Sequence, residues 1–390
     1  MLLYWIWLAM LDGVREREKQ MLLAHFETPE DCFYADAESY AQLEELSEEA
    51  VAALAHKDLK EAEAVLNLCA KRKIHVLTFG DEAYPDSLRN IADPPLVLYY
   101  RGMLPAFREA PVIGVVGTRK ASAYGLTAAR QLGKELAQHG GIVVSGMAEG
   151  IDAMATQGAL EGNGFAIGVL GCGVDIVYPR CNRELFRKME QQGCLISEYP
   201  PETAPNRWNF PRRNRIISGI SCGVVVVEAP EKSGALITAR QALEQGRDVF
   251  AVPGNIGVGT CAGSNALLKD GAAVVTCGWD ILEEYAARYP DKIRKEIPKT
   301  APVQVETDKK PVDKMPLPNY SGLDQKADED LDAVEKAFLQ ALGNQERLVD
   351  TVIAEMGLPS GDVLAALTML EVKGYVVTRP GGWVAASEYH

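Results

Sequence analysis

Four arginines, Arg207, Arg212, Arg213 and Arg215, fall within nine residues of this chain, interleaved with Trp208, Asn209, Phe210 and Asn214. Planar guanidinium groups pair with phosphate oxygens, and aromatic rings beside them can stack on bases whose faces are free. That interleaving suits a single strand of nucleic acid better than a duplex. The competing reading is a solvated basic helix start with buried aromatics.

Other segments share a second kind of chemistry. Gly114 to Ser122 (GVVGTRKAS) leaves an apolar strand and enters a helix, so Gly117, Thr118, Arg119 and Lys120 could offer backbone N–H groups and a helix N-terminus to an anion. The spacing is neither Gly-x-Gly-x-x-Gly nor a Walker loop, and a tight turn with a solvated Arg119 is the alternative. Ser145 to Asp152 and Gly171 to Pro179 are glycine-lined strand exits that are equally readable as turns. Lys232, Ser233 and Gly234 follow a buried strand and precede a helix that carries Arg240. The glycine loop from Val252 to Asn265 could bind a ligand or shape a helix that meets a second subunit.

Catalytic and metal chemistry have little to draw on. The five histidines, His25, His56, His75, His139 and His390, lie outside these loops. Glu149 and Asp152 could act as general acid or base, but a carboxylate at a helix start more often partners the helix dipole. No Cys-x-x-Cys pair occurs among Cys32, Cys69, Cys172, Cys181, Cys194, Cys222, Cys261 and Cys277, so no metal or disulfide framework is expected. No cofactor is expected either. The pattern is that of a binding surface without catalytic machinery.

The elements that must position these groups follow from composition and periodicity. With 390 residues, 47% hydrophobic and 24% charged, the chain has the material for two or three folded domains. It has no run of about 20 apolar residues that would span a bilayer. Its apolar start, 1–11, lacks a basic n-region and reads as a buried helix. Thinly spread cysteines suggest a reducing cytoplasm, and no membrane partner is expected. The net charge of −14 is uneven. Residues 1–110 carry 11 Lys/Arg against 20 Asp/Glu, residues 111–290 carry 17 of each, and residues 291–390 carry 12 against 17. No acid stands between Glu202 and Glu228, so an acidic whole does not exclude a basic groove.

Residues 1–72 have apolar positions at helical spacing, and Thr28-Pro29-Glu30 is a helix start. This is a small helical domain, SAM-like or helix-hairpin-helix-like around Gly13-Val14, or a plain helical adaptor. In 73–290 the pattern changes to short apolar runs, with strands expected at 74–78, 96–101, 112–116, 142–145, 166–170, 194–197, 223–228, 248–252 and 273–276. Helices are expected between most of them, at 125–139, 152–161, 182–192 and 238–245. Uniformly apolar strands such as Val224 to Val227 are what a parallel sheet covered on both faces requires. The expectation is α/β: an extended Rossmann-like doubly wound sheet. Residues 291–328, rich in Lys, Pro, Asp and Thr, read as a flexible linker. Within 329–390, helices at 331–342, 345–356 and 360–373 and a hairpin turning at Pro380-Gly381-Gly382 make a winged helix. Its third helix offers Asp362, Glu371 and only Lys373, which favours a protein contact over sequence readout.

Taken in order, Gly117-Thr118-Arg119, Ser145-Gly146 with Gly150-Ile151-Asp152, Gly171-Cys172-Gly173 with Tyr178-Pro179, Ser197 to Pro200, Phe210 to Ile217 and Val227 to Arg240 resemble the DNA-processing protein A (DprA/Smf) family. The resemblance spans about residues 75–290. It implies a single-stranded DNA-binding protein, not an enzyme, that dimerises through its Rossmann domain. It also implies protection of incoming strands and loading of the RecA recombinase in natural transformation and recombination. Carried over residue by residue, the DNA-binding positions are Gly117, Thr118, Arg119, Lys120, Phe210, Arg212, Arg213, Asn214, Arg215, Lys232, Ser233, Gly234 and Arg240. The chain departs from the family at Glu149, where a basic residue is usual, and at Thr156, where a His is common. On this reading, replacing Arg213 or Arg215 with Ala should lower both affinity and its salt dependence. The rival is a nucleotide hydrolase or transferase with Glu228 or Glu149 as its acid/base; a third reading is a duplex-specific regulator using the winged helix.

Overall fold

The computed structural model describes residues 1–43, 45–295, 331–343, 347–373, 375–379 and 383–386. The chain divides into two compact units, Met1–Thr300 and Ala301–His390. In the first, the apolar runs become strands β1 (His75–Thr78), β2 (Val97–Gly102), β3 (Val112–Val116), β4 (Ile142–Ser145), β5 (Ala166–Val169), β6 (Cys194–Ser197), β7 (Gly223–Val226), β8 (Asp248–Ala251) and β9 (Ala273–Val274). Among the described residues these form one sheet in the order β1-β2-β6-β5-β4-β3-β7-β8-β9. From β6 to β9 every pairing is parallel. Strands β3 to β7 are buried along their whole length, as layers on both faces demand.

The sheet is not parallel throughout. β1 and β2 run antiparallel to each other, and β2 is antiparallel to β6. The segment joining β1 to β2 holds only a four-residue helix, α7 (Asp86–Arg89), which is too short to carry the chain back over the sheet as a parallel crossover does.

Six helices precede the sheet: α1 (Leu2–Met10), α2 (Glu16–Phe26), α3 (Pro29–Tyr34), α4 (Ala37–Ala41), α5 (Glu48–Ala55) and α6 (Lys60–Arg72). Thr28 caps α3, its hydroxyl oxygen accepting from the Asp31 N–H at 3.1 Å. These helices are too short to enclose a core alone. Their buried Trp5, Trp7 and Phe33 belong to the same apolar cluster as Tyr99, Val115 and Val225 of the sheet.

Crossovers α8 (Ala123–Gln138), α9 (Ile151–Glu161), α10 (Arg183–Gln192), α11 (Asn209–Ile220), α12 (Gly234–Glu244), α13 (Ala262–Lys269) and α14 (Gly278–Leu282) cover the sheet. α12 begins four residues before its expected start because Ser233 caps it, accepting from the Ala235 N–H at 3.2 Å. α8 and α9 meet through glycines. A β-carbon on Gly133 would lie 2.1 Å from the Ala155 carbonyl oxygen, and one on Gly158 would lie 2.0 Å from that of Arg130.

In the second unit, α15 (Ala333–Leu342), α16 (Val349–Met356) and α17 (Ser360–Val372) pack on strands β10 (Arg347–Leu348), β11 (Val376–Arg379) and β12 (Trp383–Ala386), ordered β10-β12-β11. Phe338, Val352, Val363, Leu370, Val376 and Val384 fill its core, giving the winged-helix arrangement with one short strand more than the sequence suggested. Lys373, the single cation expected near the third helix, pairs with buried Glu335 at 2.9 Å. The expected linker from residue 296 onward and the Pro380-Gly381-Gly382 turn lie outside the described residues, whereas Ile293 is buried in the first unit. No described helix is long and apolar enough to cross a membrane.

Gly158→Ala is expected to force α8 and α9 apart and lower stability by about 1–3 kcal/mol, the usual range for overpacking. Urea unfolding checks this; an unchanged midpoint would show that the crossing tolerates a methyl group.

A candidate nucleic-acid interface at the sheet's switch point

Strand order reverses between β3 and β7, from which successive strands run to opposite edges of the sheet. The carboxyl ends of two such strands diverge and leave a crevice, where open α/β sheets hold ligands. Here the crevice widens into a groove of about 710 Å³. The loops after β3 and β7 flank it, and the start of α11 overhangs it.

The loop after β3 is fixed from several directions. The Thr118 N–H donates to the Glu228 carbonyl at 2.7 Å, and the Thr118 carbonyl accepts from Ile151 at 3.3 Å. The fully buried Glu228 carboxylate accepts from both the N–H and the hydroxyl of Ser122, each at 3.0 Å. Gly150 is required beside this loop: its φ is +80°, and a β-carbon there would lie 2.5 Å from the Thr118 carbonyl oxygen. Arg119 and Lys120 are left exposed at the rim. Across the crevice, exposed Lys232 precedes the N-terminus of α12, and Gly234 faces open space. The positive end of that helix and its first N–H groups favour an anion.

The third wall is the start of α11. Phe210 stacks on Tyr178, with centroids 5.5 Å apart and planes 27° apart, and the Arg119 guanidinium sits 5.4 Å over the Phe210 ring. Arg207 lies 4.7 Å over Trp208, which is 69% exposed. Tyr178 and Phe210 therefore set flat faces beside the cations Arg119 and Arg207 in the groove's lining.

The arginines themselves divide, contrary to the expectation that Arg212, Arg213 and Arg215 all contact the ligand. Arg213 borders the groove, but its guanidinium is buried and donates to the carbonyls of Gly146, at 2.8 Å, and Val169. Burial pushes it below the ordinary guanidinium value, to about 10, against the pull of nearby Asp152. Burial likewise raises the Asp152 carboxyl, with Arg213 opposing the shift. Arg215 points away from the groove and pairs with Glu198 at 2.7 Å and Asp93 at 2.9 Å. Burial works against its charge, and Glu198, joined by Asp93 and Glu16, more than offsets it, so its value lies above the usual one.

Arg212 reaches Glu16 of α2 at 2.6 Å and lines a separate cleft. Arg240 is exposed on α12, outside the residues lining the groove. The structure therefore gathers Gly117, Thr118, Arg119, Lys120, Phe210, Asn214, Lys232, Ser233 and Gly234, with Arg213 beneath them. It adds Tyr178 and Arg207, which sequence reasoning quoted but did not select. Their signals were the Tyr-Pro at a strand exit and the first arginine of the basic run. Glu228, the rival reading's acid or base, is enclosed behind Ser122 rather than presented to the groove.

A family model described as DNA recombination-mediator protein A matches residues 75–286, and one described as DprA winged helix domain matches residues 324–382. The chain is 44% identical to DNA processing protein DprA of Bacillus subtilis over 57% of this chain and 75% of that protein. It is 35% identical to protein Smf of Synechocystis over 97% of both. The solved structure of DNA processing protein A from Streptococcus pneumoniae superposes with a TM-score of 0.65 at 33% identity, covering 73% of this chain and 98% of that one. The Helicobacter pylori protein, whose structure is described as showing a single-stranded DNA binding mode, gives a TM-score of 0.51 at 28% identity, covering 56% and 97%.

Arg215→Ala should leave Glu198 with only the longer contact to half-exposed Arg212, at 3.7 Å, and lower stability by about 3 kcal/mol. Arg119→Ala should leave the melting temperature unchanged. Thermal unfolding of both variants checks the division; equal melting temperatures would contradict the inward role of Arg215.

Proposed function

The chain belongs to the DNA recombination-mediator protein A family, and on that premise we propose that it binds single-stranded DNA in the switch-point groove and delivers it to a recombinase. The family assignment gives it a DNA-processing role. One observation carries the finer reading: exposed Arg119, Lys120, Arg207 and Lys232 surround a groove whose wall presents Phe210 and Tyr178. Cations at the rim can follow a phosphate backbone, while the rings receive bases, whose faces are free only in a single strand. The anchoring of Arg213 and Arg215 makes them supports of this wall, and we assign direct DNA contact to Gly117 to Lys120, Phe210, Asn214 and Lys232 to Gly234.

Further parts of the proposal follow the same premise. The recombinase is of the RecA type, and the setting is natural transformation or recombination in the cytoplasm. Residues 1–72 and 73–290 serve as a helical brace and a DNA-binding body, and 329–390 as the winged helix. We further propose a homodimer through the α/β body. In support, β9 is an exposed edge strand, and Ile237, Leu243, Ile256 and Val274 leave apolar surface uncovered. A binding role rather than catalysis accords with Glu228 holding Ser122 instead of facing the groove. The winged helix would contact protein, since α17 exposes Leu364 and Met369 beside Asp362 and Glu371.

The test is fluorescence anisotropy with single-stranded and duplex oligonucleotides across a salt series. Four phosphate contacts give an expected slope of about −3 in log affinity against log salt for the single strand, at about −0.7 per contact. The Arg119→Ala, Lys232→Ala double variant should roughly halve that slope. Equal affinity for duplex, or a double variant with wild-type slope, would refute the groove.

A further inference from the structure

At one end of the groove a smaller cavity, about 70 Å³, opens between the stacked Tyr178 and Phe210 and the turn that carries Glu149. That is room for one edge of a planar ring rather than for a whole nucleotide. Tyr178 is 36% exposed, so its ring offers a face on which a base could lie. The Arg119 guanidinium over Phe210 adds a flat cation at the mouth.

The polar groups around the cavity are not equivalent. Carbonyl oxygens on its border already have protein donors. That of Gly146 accepts from Arg213 at 2.8 Å, that of Met147 from Asn182 at 3.0 Å, and that of Gly171 from Asn209 at 3.1 Å. The Glu149 carboxylate differs, being exposed and accepting from the Cys181 thiol at 3.3 Å. A thiol is a weak donor that stronger ones displace. Loss of hydration, and then the carboxylate itself, push that thiol up, so it stays protonated and does not repel Glu149. The cavity thus combines a stacking face with an acceptor-only group at its edge.

We infer that Glu149 reads the Watson–Crick edge of a guanine carried by the bound strand while the ring lies against Tyr178. This rests on the single-strand reading above. Guanine presents two adjacent donors, N1–H and the N2 amino group, which match the two oxygens of a carboxylate. Cytosine and adenine each present one amino group beside an acceptor. Thymine presents one N–H between two carbonyl oxygens, which a carboxylate repels. A well-placed pair of this kind is worth about tenfold in discrimination.

The experiment compares an oligothymidylate with the same strand carrying one central dG, by anisotropy with the full chain. The dG strand should bind about tenfold tighter, and a central deoxyinosine, which lacks the amino group, should fall between. In Glu149→Ala the dG advantage should vanish, and oligothymidylate affinity should rise because a negative charge beside phosphates is gone. Measurable oligothymidylate binding without a dG advantage, or an advantage that survives in Glu149→Ala, would overturn the inference and leave the DNA reading standing. Failure of the wild type to bind either strand at low salt would sink the DNA reading itself. Calorimetry with dGMP separates the source of the base: no heat supports a strand-borne guanine. Tight dGMP binding lost in Glu149→Ala would reassign the cavity to a free nucleotide.

Discussion

The arrangement of the site turns on one buried guanidinium. Arg213 reaches under the start of α11 to the carbonyls of Gly146 and Val169, at the ends of β4 and β5. It thereby ties the helix that overhangs the crevice to the strands that form its floor. A guanidinium can satisfy several oxygens in one plane, which the point charge of a lysine cannot. Gly146 is shaped around it, since a β-carbon there would meet Arg213 Nη2 at 2.5 Å. Arg215, two residues on, is locked to Glu198 on the other side of the same helix. With both arginines held inward, the preceding residues are free to face the groove, and Phe210 lands against Tyr178.

This division resolves an apparent conflict between an acidic chain and a polyanionic ligand. The charges that a strand would meet are the few at the rim, and screening over about 10 Å at moderate salt separates them from acids elsewhere. Glu228 and Asp152, the acids nearest the groove's base, are enclosed by protein. The helix ends at Ser122 and Ser233 add partial positive charge without adding side chains.

Much of this was legible in the sequence because it depends on local pattern. The nine apolar runs became nine strands, most plainly β3 to β7, since a strand buried on both faces has to be apolar throughout. The glycine-bearing strand exits marked the crevice, since turns this tight and backbones this close exclude larger residues. What could not be read was direction. Arg212, Arg213 and Arg215 are neighbours in sequence, but helical rotation of about 100° per residue sends them to different surroundings. Only the fold reveals that Glu198, Gly146 and Glu16 await them there. The antiparallel β1 and β2 were hidden for a related reason: direction is set by the connection, and a short apolar stretch such as Val97 to Tyr99 reads the same in either sense.

The N-terminal helices acquire a second meaning from Arg72 at the end of α6. Its guanidinium pairs with Asp175, which is nearly buried in the loop after β5, and with Glu202 in the approach to α11. Glu16 of α2 meanwhile pairs with Arg212. The helical segment thus acts as a counterweight to the site's own charges, supplying a cation to two carboxylates and an acid to one surplus arginine. A fragment begun at the first strand would keep every strand and every groove loop, yet it would be a different electrostatic object. Asp175 and Glu202 would stand uncompensated beside the wall on which α11 rests, and Arg212 would keep only Glu198, at 3.7 Å. In this chain the α/β body is bounded by charge balance as much as by the ends of its sheet.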